Sequence, residues 1–212
     1  MSDPSPMRAA SRLAKGDDQV LLQRQSALQV EAREVLAELD LERTMSDFGP
    51  PLFAGSFVSG LMAWPDLDIM FLGGAALTPT RVLKGLSGLV GAPGIVGFTY
   101  VDERGDRSPT GDVRDERYHV TATYIRPSRS WRLDLTFWLH DPHENVTDWH
   151  ENLSRTLTDE QRITILRIKD IWCRRAEYPD EVSGFEIYTA VLDDDVQTPE
   201  QFATWLSGSR TK

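Results

Sequence analysis

Two short stretches of this chain put carboxylates and small residues where phosphate chemistry could use them. Gly55-Ser56 closes the apolar run Leu52-Phe53-Ala54, and Asp66-Leu67-Asp68 opens a second apolar run that ends at Leu72, before Gly73-Gly74. Residues two apart on a strand point the same way, so Asp66 and Asp68 project from one face as a pair. A third acid, Asp134, sits midway along Ser130–His140, SWRLDLTFWLH, the clearest alternating segment of the chain. Trp131, Leu133, Leu135, Phe137 and Leu139 fall on one of its faces, and Arg132, Asp134, Thr136, Trp138 and His140 on the other. A carboxylate buried without a partner is costly, and three together become tolerable when a cation binds between them. Hard oxygen donors with positions left for phosphate suit Mg²⁺. A salt bridge to Arg132, on the same face, is the plainer reading of Asp134 taken alone. At Gly55-Ser56 the glycine lets backbone approach an anion, and the freed N–H groups with the Ser56 hydroxyl can hold terminal phosphates. Gly60 would let that loop turn tightly.

The elements that must position these groups can be read in outline. Val20, Leu21, Leu28, Ala32, Val35, Leu36 and Leu39 recur at helical spacing from Gln19 to Leu41, and Asp47-Phe-Gly-Pro-Pro51 ends that helix. Leu52–Ala54 and Leu67–Leu72 read as neighbouring strands with a short helical turn between them. Thr78-Pro79 caps a helix over Arg81–Val90. Ile95–Val101 and Tyr118–Ile125 alternate as two more strands, joined by a charged, mobile-looking hairpin loop, Asp102–Glu116. After Asp141-Pro142 the pattern turns helical, with helices expected over Asp159–Arg175, Gly184–Asp193 and from Thr198 through Trp205. The organisation predicted is a polar N-terminal stretch, residues 1–18, a mixed α/β sheet domain over 19–143 and a helical region over 144–212.

Composition narrows the function classes. Apolar residues at 40% and charged residues at 26% are ordinary for a globular chain of 212 residues. No apolar run approaches the roughly 20 residues of a membrane helix, and the N-terminus lacks the apolar stretch of a secretion signal. The single cysteine, Cys173, can form neither an internal disulfide nor a zinc cluster, so a cytoplasmic location is expected. A net charge of −10 repels a phosphate backbone and forgoes the counterion release that drives nucleic-acid binding. It therefore argues against a nucleic-acid acceptor and for a small, even cationic, one.

The stretch GSFVSGLMAWPDLDI resembles the signature of the nucleotidyltransferase superfamily: G-S, a short turn-bearing helix, then D-x-D on the next strand. RLDLTFW is similar to the strand that carries that family's third carboxylate. The likeness covers Leu52–His140 and extends to kanamycin- and lincosamide-type antibiotic nucleotidyltransferases, minimal nucleotidyltransferases and the polymerase-beta-like fold. Pro65 stands where a serine commonly precedes the first Asp, and the loop is about one residue shorter. The resemblance implies a small mixed sheet flanked by helices, with a C-terminal helical region. It also implies Mg²⁺-dependent transfer of a nucleoside monophosphate, with ATP the expected donor, to a hydroxyl of a small molecule, with release of pyrophosphate. Asp66 and Asp68 would hold the metal, and Asp134 would either complete the metal site or take the acceptor proton. Gly55 and Ser56 would hold the phosphates, with Arg81 and Lys84 within reach of them. Two alternatives stay open: a protein- or RNA-modifying enzyme of the same chemistry, and a non-catalytic nucleotide-binding module.

Other residues invite a functional reading and have a plainer one beside it. His140 and His143 flank the seam between the two regions as acid–base candidates or as incidental loop histidines. Trp64, Trp138 and Tyr188 could stack on a base or simply fill the core. Cys173 reads as a buried helix residue, and Asp193-Asp-Asp195 as a solvated helix end.

Overall fold

The alternation in SWRLDLTFW forces one face of that strand into a core and leaves the other for chemistry, and the sheet is built around it. The computed structural model describes residues 6–141 and 146–209, so His143 lies outside the described residues. In chain order the elements are α1 (Pro6–Leu39), α2 (Leu41–Thr44), β1 (Leu52–Phe53), α3 (Gly55–Ser59) and β2 (Asp66–Leu72). Then come α4 (Pro79–Gly85), α5 (Ser87–Val90), β3 (Ile95–Glu103), β4 (Arg117–Ile125) and β5 (Ser130–Trp138). The last are α6 (Val146–Thr156), α7 (Asp159–Trp172), α8 (Gly184–Leu192) and α9 (Pro199–Ser209). No described helix is long and apolar enough to cross a membrane.

Two compact units divide the chain. One comprises Gln29–Gly60 and Pro65–Arg155; the other comprises the residues up to Leu28, Leu61–Trp64 and those from Thr156 onward. The first contains a five-stranded mixed sheet in the order β1-β2-β5-β4-β3. Its central pair, β2 and β5, is parallel, while β1 with β2, β5 with β4, and β4 with β3 run antiparallel. Leu67, Ile69 and Phe71 of β2, Leu133, Leu135 and Phe137 of β5, and Tyr118 and Val120 of β4 are all wholly buried on the shared inner face. Phe48, from a 3₁₀ turn at Ser46–Phe48, closes this layer, its ring 4.7 Å from that of Phe137 and 5.9 Å from that of Phe71. Ala32, Val35 and Leu39 of α1 are buried as well.

A polar clamp ties the end of α1 to the β4–β5 turn. Glu31 accepts from the Trp131 indole at 3.0 Å and the Ser128 hydroxyl at 2.9 Å, and Arg126 pairs with Glu34 at 3.0 Å and Glu38 at 2.9 Å. The charged segment between β3 and β4 is held by its own contacts. The Gly105 N–H donates to Glu116 at 2.7 Å, and Arg104 pairs with Asp102 at 2.8 Å around two 3₁₀ turns.

In the second unit, capping boxes start the helices. Thr158 Oγ1 accepts from the Gln161 N–H at 3.1 Å at the head of α7, and the Ser183 N–H donates to Glu186 at 2.6 Å at the head of α8. Ile165, Ile168, Ile187 and Phe202 are buried, and Trp172 meets Phe202 edge-on at 5.1 Å. Lys169 is buried too, its Nζ 3.1 Å from the Tyr188 hydroxyl.

Three elements differ from the sequence reading. The first helix opens at Pro6, ahead of Gln19, because the preceding residues are mostly good helix formers even without an apolar period. The expected helix over Arg81–Val90 is split at Leu86 into α4 and α5, where Gly85 and Gly88 weaken a continuous helix. Helix α6 falls inside the region expected to be helical, 144–212, where the sequence reading names no separate helix before Asp159.

Candidate active site

Register decides which side chains can meet. In the parallel β2–β5 pair, Asp66 lies opposite Arg132 and Asp68 opposite Asp134. Opposite residues share a face, so all four project from the side of the sheet away from the phenylalanine core. In the antiparallel β4–β5 pair, Thr121 lies opposite Asp134 and His119 opposite Thr136. One carboxylate oxygen from each of Asp66, Asp68 and Asp134 comes within 4.8 Å of the others. Asp66 is 7% exposed and Asp134 9%, so the charges are packed where water screens them poorly.

The G-S segment is built into the same place. Ala54 N–H donates to the main-chain oxygen of Asp68 at 3.1 Å, which pins the end of β1 to the second acid. Gly55 then turns the chain with a φ of +63° and opens α3, whose far end turns again at Gly60 with a φ of +69°. A β-carbon on Gly55 would stand 1.7 Å from Asp68 Oδ2. Two features of the motif therefore explain each other: the glycine is needed for its backbone conformation and because the Asp68 carboxylate fills the space a side chain would take. Ser56 is buried, and its hydroxyl oxygen has no hydrogen-bond partner among the described residues.

Asp134 is held from three directions. Arg132 Nε donates to both carboxylate oxygens, at 3.0 and 2.9 Å, and the Thr121 hydroxyl donates to Oδ1 at 2.8 Å. His119 Nε2 stands 3.5 Å from the same oxygen, and its Nδ1 lies 3.4 Å from the Thr136 hydroxyl. Burial pushes the Asp134 pKa up, but hydrogen bonding from His119 and the charge and hydrogen bonds of Arg132 outweigh it, leaving the carboxyl below its ordinary range. The salt bridge to Arg132 expected of Asp134 taken alone is thus present, beside the convergence of the three acids.

These residues fit a divalent cation. The donors are hard oxygens, they converge, and the flanking glycine leaves the approach to Asp68 free of a side chain. Asp66, Asp68 and Asp134 could hold the ion, with the buried Ser56 hydroxyl and the α3 backbone beside them for an anionic group. Arg81 and Lys84 are exposed on α4, and a guanidinium nitrogen of Arg81 is 3.4 Å from the Asp47 carbonyl oxygen, to which it donates.

The overall fold is similar to that of a non-canonical poly(A) polymerase, the GLD-2–GLD-3 complex, with a TM-score of 0.50 and 10% identity over 85% of this chain and 60% of that one. The fold is nucleotidyltransferase-like. A GLD-2/RNP-8 complex also matches, with a TM-score of 0.43 and 11% identity over 84% of this chain and 61% of that one. The chain thus spans about three-fifths of the length of the solved chains it resembles. No family model matches the sequence, and no curated protein matches it. The likeness to the GLD-2–GLD-3 complex is one of fold and lends nothing to the antibiotic-modifying branch of the resemblance.

Among the remaining residues singled out from sequence, Trp138 packs with Ala54, Met70 and Leu52 as core, and Tyr188 is buried. Trp64 meets Tyr178 edge-on at 5.7 Å. His140 Nε2 is 3.4 Å from Glu116 Oε2. Cys173 caps α7 and is half-buried rather than buried. Asp193, Asp194 and Asp195 are exposed. Sequence reasoning missed His119 and Thr121. Their alternation in β4 marks them as lying on one polar face, but only the β4–β5 register places that face beside Asp134.

Proposed function

We propose that this chain is a nucleotidyltransferase that moves a nucleoside monophosphate from an NTP to an acceptor hydroxyl and releases pyrophosphate. The observation that carries the reading is the convergence of Asp66, Asp68 and Asp134 within 4.8 Å, beside a glycine whose missing side chain makes room for Asp68. Asp66 and Asp68 would hold Mg²⁺. An ion held there would supply charge neutralisation to the triphosphate and would lower the pKa of an acceptor hydroxyl. The Gly55 backbone and Ser56 hydroxyl would hold the terminal phosphates, with Arg81 and Lys84 as outer cationic contacts. Most of the rate enhancement would come from positioning and charge. Asp134 would either complete the metal site or take the acceptor proton, and Arg132, Thr121 and His119 hold its carboxylate in place for either role.

The acceptor has two readings. The fold neighbour is a poly(A) polymerase, which supports an RNA or protein hydroxyl over a small molecule. The net charge of −10 favours a small, cationic acceptor instead. Incubation with Mg²⁺ and α-labelled ATP, UTP, CTP or GTP, in the presence of RNA, protein or small hydroxyl compounds, separates them. Label on RNA or protein supports the first reading, and label confined to small molecules supports the second. No label and no pyrophosphate with any NTP in the presence of any of the three acceptor classes contradicts the proposed reaction.

A further inference from the structure

We propose that Arg132 is the resident counter-ion of the carboxylate trio, that it competes with the divalent cation for Asp134, and that it turns to the nucleotide phosphates once displaced. The inference rests on the nucleotidyltransferase reading and concerns how the site of that reading is loaded. Arg132 is only two residues from Asp134 on the same strand face, and lies opposite Asp66 across the β2–β5 pair, so its side chain shares the face of all three acids. Its Nε straddles the Asp134 carboxylate, 3.0 Å from one oxygen and 2.9 Å from the other. Oδ1 also accepts the Thr121 hydroxyl at 2.8 Å, so both lone-pair directions of that oxygen are engaged.

A cation arriving at Asp134 meets a fixed positive charge and an oxygen already engaged by Arg132 and Thr121, with His119 Nε2 3.5 Å away. Arginine does not lose its proton in proteins, so the competition persists at every working pH. The Arg132 side chain is 24% exposed and that of Asp134 12%, so the pair is screened less than a surface salt bridge. The metal alone therefore binds poorly. Metal and triphosphate together bind well, because the displaced guanidinium gains phosphate oxygens in exchange for the carboxylate. Such coupling would keep the site closed to free ions and open it to the metal–nucleotide complex.

The test uses the full chain and two probes: Mn²⁺ alone, and Mn²⁺ with α,β-methylene-ATP. Titration calorimetry is run on wild type, Arg132→Gln, Arg132→Lys and Asp68→Asn. Removing one charge-assisted pair should let Arg132→Gln bind Mn²⁺ alone about tenfold tighter than wild type while binding the nucleotide complex about tenfold more weakly. Arg132→Lys, which keeps the charge and loses the planar fork, should shift each constant about threefold in the same directions. It carries the test if the Gln variant does not fold. Opposite signs for the two probes are not expected of a merely structural defect, which would weaken both. If Arg132→Gln or Arg132→Lys binds Mn²⁺ alone no more tightly than wild type, while Asp68→Asn abolishes binding, the proposal is overturned and the metal site stands. If Mn²⁺ binds no variant with either probe, the nucleotidyltransferase reading fails and this inference with it.

Discussion

Replacing Gly55 with alanine tests whether the glycine and the second acid form one device. Two costs can be separated. The first is conformational: a φ of +63° disfavours any residue with a β-carbon by about 1–2 kcal/mol. For a chain of this size that lowers Tm by roughly 2–8 °C. The second is steric: the new β-carbon would lie 1.7 Å from Asp68 Oδ2 and 2.6 Å from Asp68 Cγ, so the carboxylate must retreat. A retreat of more than about 1 Å in a catalytic constellation costs on the order of a hundredfold in turnover. Gly105 supplies the control, because its φ is +58° and nothing lies within 4 Å of its missing β-carbon. Gly55→Ala and Gly105→Ala should therefore lose similar stability in a thermal melt. Only Gly55→Ala should lose Mn²⁺-dependent nucleotide binding. Wild-type nucleotide binding by Gly55→Ala, or an equal loss in Gly105→Ala, would refute the reasoning.

Two other perturbations follow from the electrostatics. Asp68→Asn removes one of three acids whose oxygens approach within 4.8 Å, so it should abolish Mn²⁺ binding while the metal-free protein melts within about 4 °C of wild type. Mn²⁺ binding kept at wild-type strength would contradict a ligand role for Asp68. Burial would raise the Glu31 pKa, but hydrogen bonds from Trp131 and Ser128, with the charges of Arg129 and Arg126, hold it below the ordinary 4.5. A depressed folded value means the stabilisation is complete above the unfolded pKa and is lost as pH falls through the folded one. The urea midpoint of wild type should therefore exceed that of Glu31→Gln at pH 7, and the gap should narrow below about pH 4.5. A gap that stays constant with pH would contradict the clamp.

Much of the site was legible because its signals are local. The alternation in Ser130–Trp138 marks the face that carries Asp134, the D-x-D spacing puts two acids on one side of β2, and Gly55-Ser56 stands at the end of β1. Thr78 does accept from the Arg81 N–H at 3.3 Å as the Thr-Pro pattern predicts. What sequence could not show depends on pairing between distant strands. Nothing local says that β5 pairs with β2, and that parallel pairing brings Asp134 to Asp66 and Asp68, whereas His119 and Thr121 reach Asp134 through the register of the β4–β5 hairpin. Helix α6 is harder to read because Val146–Thr156 is polar on average, although Val146, Trp149 and Leu153 recur at helical spacing. The acceptor was hidden for another reason: net charge is a property of the whole chain and names no particular acceptor group.

The central claim is that Asp66, Asp68 and Asp134 together hold a divalent cation. Anomalous diffraction from crystals grown with Mn²⁺ and α,β-methylene-ATP tests it most directly. The account predicts manganese peaks bounded by carboxylate oxygens of all three residues, with the triphosphate lying against Gly55 and Ser56. A bound nucleotide with manganese elsewhere, and the three carboxylates left as they stand, would contradict it.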